Sequence, residues 1–363
     1  MALTPLALLA ACGGFPSNPH ALEIAAFLGQ RISAPRFAYL SIPSTNQVVS
    51  GTVDSYGRLT QTGGFTQGSS PAMLAPDVNG RFLHFQTTGA STIHWRPITS
   101  TGVTTTGGSL VTTSSAILFR STVYTNFMIG LVQGGGSSLQ SYPLALDGSV
   151  TAPQAGMDPG TNYAAMVQHP TLPLVYILEN SASIHVSQMS ASGTFSLRAS
   201  VPASTPSAIA MDPLGRFLIT GNALASNNLT YFSLDSQGIP TQGATITAGP
   251  AGVAHIALDS AGRYAYVLKQ TAGANLVTVQ ISSFSVVGTT TSGNTPSNAI
   301  SSLVVENAGR FLYATGGLPP GIALMGIASD GLPYASEYYT AAAAPTIGLY
   351  HTTRCMAFPD VDC

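Results

Sequence analysis

Short apolar runs of four to six residues recur along this chain, divided by Gly, Asp, Asn, Ser and Pro. The stretch PSAIAMDPLGRFLITGN, residues 206–222, shows the unit best. Ala208 to Met211 is a short apolar run, Asp212-Pro213-Leu214-Gly215 is a turn, and Arg216 opens a second run over Phe217 to Thr220. Runs of this length, rich in β-branched and aromatic residues and bounded by turn formers, predict strands rather than helices. Within this unit the expected strands are 208–211, 217–220, 229–234 and a poorer outer one over 241–246.

The second run repeats. It begins at Arg36 (RFAYL), Arg81 (RFLHF), Pro173 (PLVYI), Arg216 (RFLIT), Arg263 (RYAYV) and Arg310 (RFLYA), at intervals of 43 to 47 residues with one double interval of 92. The apolar segment 123–131 falls where the double interval needs a unit. Turn glycines give an independent series: Gly57, Gly102, Gly148, Gly193, Gly238 and Gly331, spaced by 45 or 46 with one double interval of 93, near Phe284. Asp or Ser with Gly between alternating strands is hairpin chemistry. Different units fail in the two series, so their agreement on seven units is not circular. A period of about 45 residues holding four short strands is that of a β-propeller blade. The expectation is an all-β, seven-bladed propeller of four-stranded blades spanning residues 36–363.

The C-terminus, Met356 to Cys363 (MAFPDVDC), parallels Met73 to Gly80 (MLAPDVNG), which leads straight into Arg81. It therefore reads as the inner strand of the blade that begins at Arg36, closing the ring and removing an open sheet edge.

Composition adds location. Hydrophobic residues make up 45% and charged ones only 7%, with a formal net charge of -2 and a single lysine, Lys269. Ser, Thr, Gly, Asn and Gln carry the polarity, and no basic cluster offers a nucleic-acid footprint. Residues 1–12 are apolar and end in Leu9-Ala10-Ala11-Cys12, which resembles a bacterial lipoprotein signal with Cys12 as the lipidated residue. The run is short and lacks a leading cation, so a plain secretory signal is the alternative. Residues 13–35 read as a tether with a short helix around 21–28. The expected location is the periplasm or cell surface, held by the lipid alone, or the medium if secreted. No later run reaches the roughly 20 apolar residues of a spanning helix. Cys355 and Cys363 could form a disulfide in an oxidising compartment, but an extended segment between them would hold their Cα atoms beyond the bridging range of about 4.4–6.8 Å.

Most acids fall in turns: Asp54, Asp147, Asp235 and Asp330 in hairpins, Asp77, Asp212, Asp259, Glu306 and Asp360 in the repeat turn. His169 replaces that turn acid beside Pro170, and His84, His94 and His185 fall on second or third strands. No H-x-x-x-H or C-x-x-C spacing suggests a metal, no G-x-S-x-G elbow suggests a serine hydrolase, and no cofactor motif is present. His255, at the channel end of an inner strand, is the remaining general-base candidate, with Glu179 as its candidate partner. Trp95 is expected to pack between blades.

The string P-x-x-I-A-x-D-P-x-G-R-F-L, at Pro206 to Leu218, resembles the YVTN-type propellers and their lactonase-like relatives, among them bacterial 6-phosphogluconolactonase. The resemblance implies the seven-bladed fold over residues 36–363 and a site at the channel mouth. Catalytic members tend to place Pro-Arg-His at the start of an inner strand. The matching residues here are Tyr163-Ala164-Ala165, Pro206-Ser207-Ala208 and Val253-Ala254-His255, which keep only the histidine. The family's Asn-Glu corresponds to Glu179-Asn180, reversed, and its Asp-Arg to Lys269-Gln270. The channel-mouth set is therefore Tyr163, Glu179, Asn180, Ser207, His255, Lys269 and Gln270, with Arg354 near the closing strand. Loss of the family's cations, the lipoprotein-like start and the hydroxyl-rich surface favour a non-catalytic module that binds a protein or glycan at one face, and as the sheets supply no reason for a dimer, a monomer is expected. The alternative is a lactone hydrolase with a reworked site.

Overall fold

The computed structural model describes residues 36–42, 45–69, 71–76, 81–87, 91–112, 116–120, 124, 126–132, 139–158, 163–179, 183–223, 228–249, 252–269, 276–290, 300–306, 309–316, 321–340 and 346–351. Among them the regular structure is β. The first sheet joins β1 (Arg36–Ile42), β2 (Gln47–Val53) and β3 (Leu59–Thr66) to the last described strand, β27 (Thr346–His351), in the order β27-β1-β2-β3. The second is β4 (Pro71–Pro76), β5 (Phe82–Thr87), β6 (Thr92–Pro97) and β7 (Gly108–Val111). The third has three strands, β8 (Ala116–Arg120), β9 (Phe127–Val132) and β10 (Leu139–Pro143).

Four further sheets follow in sequence order. The fourth is β11 (Tyr163–Gln168), β12 (Leu174–Glu179), β13 (Ser183–Met189) and β14 (Phe195–Pro202). The fifth is β15 (Pro206–Met211), β16 (Phe217–Asn222), β17 (Leu229–Leu234) and β18 (Pro240–Ile246). The sixth is β19 (Val253–Leu258), β20 (Tyr264–Lys269), β21 (Leu276–Gln280) and β22 (Ser285–Thr290). The last is β23 (Ile300–Val305), β24 (Phe311–Gly316), β25 (Gly321–Ile327) and β26 (Pro333–Thr340). All pairings are antiparallel, and the architecture is an all-β propeller with four-stranded blades. First strands of neighbouring sheets touch, from β11 through β15, β19, β23, β27 and β4 to β8.

Burial explains the strand order. The second strands are covered on both faces: β5, β9 and β16 are buried at every position. They accordingly read as continuous apolar runs rather than alternating ones. Outer strands such as β14 and β18 are largely exposed and carry Ser, Thr, Arg and Gln. Among the described residues the third sheet has three strands, and Thr151 to Met157 contains Pro153 and Gly156, which suit a strand poorly. This segment instead follows β10 through isolated backbone bonds, from Thr151 to Pro143, from Gln154 to Ser141, and reciprocally between Leu139 and Met157.

Neighbouring sheets are locked by a repeated contact. The hairpin glycines Gly57, Gly102, Gly148, Gly193, Gly238 and Gly331 all have positive φ, between 72° and 87°. Each lies under the first large residue of the preceding sheet's second strand: Phe37 covers Gly102, Phe82 covers Gly148, Phe127 covers Gly193, Leu174 covers Gly238 and Tyr264 covers Gly331. Phe311 of the last sheet covers Gly57 of the first. Two residues further along the second strand, a donor reaches the same glycine's carbonyl. The bonds are Tyr39 to Gly102 at 2.8 Å, His84 to Gly148 at 2.9 Å, Tyr176 to Gly238 at 2.7 Å, Tyr266 to Gly331 at 3.1 Å and Tyr313 to Gly57 at 2.6 Å. Gly193 receives Ser141 instead, at 2.6 Å. Between the fifth and sixth sheets the device changes. Ile219 has no donor, and Phe284 stands at the glycine position with φ 41°. Its ring meets Tyr231 edge-on at 5.6 Å, and Tyr231 stacks on Phe217 at 5.2 Å.

The repeated arginines tie the turns that precede them. Arg216, Arg263 and Arg310 pair with Asp212, Asp259 and Glu306 four residues earlier. His169 serves in the fourth sheet, where its Nδ1 accepts the backbone N–H groups of Thr171 and Leu172. Trp95 packs against a cluster containing Met128 and Tyr142 of the third sheet.

One expectation changes. The strand seen beside β1 is Thr346–His351, with Arg36 opposite His351 and Ser41 opposite Thr346. Met356 to Cys363 lies outside the described residues, as do Cys12, the 13–35 tether, Cys355 and Arg354. Thr-Ile-Gly-Leu-Tyr-His fills six register positions of β1, so the place reserved for the terminal motif is already taken.

Candidate functional site

Three sheets in succession carry polar residues at equivalent positions, among them Glu179 and Lys269, both expected at a channel mouth. Glu179, Asn222 and Lys269 each end a second strand, opposite the first residue of the inner strand: Tyr163, Pro206 and Val253 respectively. The register shifts immediately after those first residues, at Ala164, Ser207 and Ala254. A bulge of this kind re-aims one side chain and bends the strand.

In the fifth sheet the bulged residue is Ser207. Its hydroxyl lies 2.7 Å from the carbonyl of Val253, in the sixth sheet, and 3.3 Å from that of Gly221. The serine therefore stitches two inner strands together. Tyr163 is buried, and its hydroxyl donates to Asp158 at 3.1 Å.

Lys269 is only 5% exposed. Burial penalises the ammonium and lowers its pKa to about 8. Its stem runs beside the 248–249 turn, where a Cβ on Gly249 would lie 3.4 Å from Lys269 Cε. Asn228, fully buried, holds that turn: its Oδ1 accepts the N–H of Ala248 at 2.8 Å and its Nδ2 donates to the carbonyl of Gly249 at 2.9 Å. His255 sits on β19, opposite Leu268 of the strand that ends in Lys269. His255 and Lys269 thus share one sheet and one end of the propeller.

Glu179 lies two sheets away, and the partner the structure gives it is His185 of β13, with Oε2 3.2 Å from Nε2. His185 is 7% exposed, and its Nδ1 lies 2.7 Å from the hydroxyl of Ser200 on β14. His185 and Ser200 carried no role in the sequence pattern, because only the strand registers bring them onto one face with Glu179. Asn180 and Gln270 lie outside the described residues. Among the described residues, no three His, Cys, Asp or Glu side chains gather as a metal ion would require.

No protein-family model and no curated protein matches the chain. Solved structures do. A candidate 6-phosphogluconolactonase from Bacteroides fragilis aligns over 87% of this chain and 98% of its own, with TM-score 0.74 and 12% identity. The periplasmic gluconolactonase of Pseudomonas aeruginosa aligns over 87% and 100%, with TM-score 0.69 and 14% identity. The fold is that of the lactonase-like propellers. It is also near that of the Swd1 β-propeller domain of Myceliophthora thermophila, with TM-score 0.58 and 10% identity over 82% and 98%. At these identities the likeness is one of fold, and activity has to be argued from side chains.

Proposed function

We propose that the chain is an exported, lipid-anchored propeller that binds a protein or glycan at one face and does not catalyse at its channel mouth. The observation that carries this reading is the fate of the rim's polar groups. Ser207, where a catalytic relative would offer arginine, ties β15 to the sixth sheet. Glu179 is turned to His185 within its own blade. An anionic lactone needs clustered, pre-organised cations, and the described rim offers Lys269 alone. The three-stranded sheet counts in this reading as a worn seventh blade, and β27 as the strand that closes the ring. Residues 1–12 act as the lipoprotein signal, with Cys12 as anchor in the periplasm or at the cell surface. A Cys12→Ser variant then moves from the membrane fraction to the soluble one, whereas unchanged fractionation removes the anchor.

The second reading is a lactone hydrolase with a reworked site. It is favoured by the shared fold of structures described as lactonases and by His255 and Lys269 lying at the same end of the sixth sheet. A lactone-hydrolysis screen of the native chain beside His255→Ala and Lys269→Met decides between the two. Turnover that disappears in either variant overturns the binding-only reading.

A further inference from the structure

We propose that Ser200, His185 and Glu179 form an acyl-transfer relay on one face of the fourth sheet, running outward from the end of the second strand at Glu179 to the outer strand at Ser200. The three residues lie on consecutive antiparallel strands, β14, β13 and β12. Ser200 stands directly opposite His185, and Glu179 lies one diagonal step from it. Alternation places this set on the face shared by Val175, Ile177 and Met189, which pack with Phe127, Ile129 and Leu131 of the three-stranded sheet. Beyond this cluster the outer strand is open to solvent, with Ser196, Leu197, Arg198 and Ser200 all exposed. His185 is buried while Ser200 is exposed.

The geometry meets two requirements of an activated nucleophile: a base in hydrogen-bond reach of the hydroxyl, and a third group that orients the base. Oγ to Nδ1 is 2.7 Å and Nε2 to Oε2 is 3.2 Å. Glu179 accepts the proton of Nε2 and so leaves Nδ1 as the acceptor for the serine proton. The two ring nitrogens exchange the roles they play in the serine proteases, which the symmetric chemistry of imidazole permits.

The substrate class is a carboxylic ester with an accessible carbonyl, because Ser200 sits on an open outer strand. Ser200 Oγ attacks that carbonyl as its proton passes to Nδ1. The C–O bond to the alcohol breaks, and the leaving oxygen takes the proton back from Nδ1. Water, activated by the same nitrogen, then cleaves the acyl-serine, releasing the acid and restoring the hydroxyl. Ser200 and His185 are the catalytic residues, and Glu179 is a positioning residue.

The test is labelling of the full chain with a fluorophosphonate probe, mapped by mass spectrometry. Ser196, exposed on the same strand opposite Gln188, is the internal control. Labelling is expected at Ser200, absent in Ser200→Ala, and slowed by about 10²-fold or more in His185→Gln. Glu179→Leu is expected to lower the inactivation rate constant about tenfold or more without changing reversible probe affinity, and Glu179→Asp to recover part of it. The proposal is overturned if Ser200 reacts no faster than Ser196 in the native chain, a comparison that needs no variant to fold. It is equally overturned if a His185→Gln protein with native thermal stability labels at the native rate.

Discussion

The hydroxyl of Tyr313 donates to the carbonyl of Gly57 at 2.6 Å, across 256 residues of sequence. The same bond, from a second strand to the next hairpin glycine, joins four other neighbouring pairs of sheets, and here it joins the last sheet to the first. Two substitutions separate its parts. Tyr313→Phe keeps the ring but orphans a buried carbonyl, a loss of about 1–2 kcal/mol. Gly57→Ala must hold φ 80° and place a Cβ 2.7 Å from the Phe311 ring, so strain and overpacking together should cost about 2–4 kcal/mol. Urea unfolding checks the order: the alanine variant is expected to be the less stable of the two.

Phe284 occupies the glycine position of the sixth hairpin and is buried at 8% exposure. Its φ of 41° is unfavourable for a side chain, by about 1–2 kcal/mol. Restoring glycine relieves that strain but removes a buried aromatic ring, a loss of about 3–5 kcal/mol. Burial wins, so Phe284→Gly is expected to lower stability by about 1–4 kcal/mol. A gain in the unfolding midpoint would show that the ring does not support the joint between the fifth and sixth sheets.

How far the sequence reaches is visible at these same residues. Strands and hairpins were legible because each rests on local chemistry: Phe217 to Thr220 is an apolar run after a turn, and Gly57 or Gly238 must adopt positive φ. The fifth sheet accordingly matches its expected strands to within two residues at either end. The strand beside β1 was misplaced because MAFPDVDC copies the inner-strand motif, whereas TIGLYH, which pairs with β1, carries no turn signal of its own. The pairing of Glu179 with His185 was not legible at all. It depends on the registers of β12 and β13, which no local pattern fixes. Likewise, that Ser207 would bond across to Val253 follows from a bulge and from the neighbouring sheet's position.

Asp212 and Arg216 make an asymmetric pair. The carboxylate is fully buried and accepts Arg216 Nε at 2.6 Å, Nη2 at 2.9 Å and the backbone N–H at 3.0 Å, while the arginine side chain is half exposed. Removing the arginine leaves a buried carboxylate with little compensation. Water entering the vacated space moderates the penalty to about 2–3 kcal/mol. Asp212→Asn keeps an acceptor for the backbone N–H and leaves the arginine free to be solvated, at about 1–2 kcal/mol. Loss of the exposed partner is therefore expected to cost more than neutralising the buried one. Parallel denaturation of Arg216→Met and Asp212→Asn tests it.

Lys269 and the buried tyrosines set the alkaline behaviour. With its folded pKa lowered to about 8, Lys269 binds its proton less tightly than in the unfolded chain, where the pKa is about 10.4. Between those values the unfolded state holds more protons, so stability rises with pH and the burial penalty, full below pH 8, disappears. Burial acts oppositely on phenols. It pushes Tyr142 up to about 12 and raises Tyr176 and Tyr266 further. Above about pH 10 the unfolded chain loses phenolic protons that the folded one keeps, and stability falls. The thermal midpoint should therefore climb from about pH 8 towards pH 10 and then drop. Lys269→Met is expected to flatten the climb and leave the drop in place. A native midpoint that declines steadily from pH 8 would mean that the ammonium of Lys269 is not held in an apolar site.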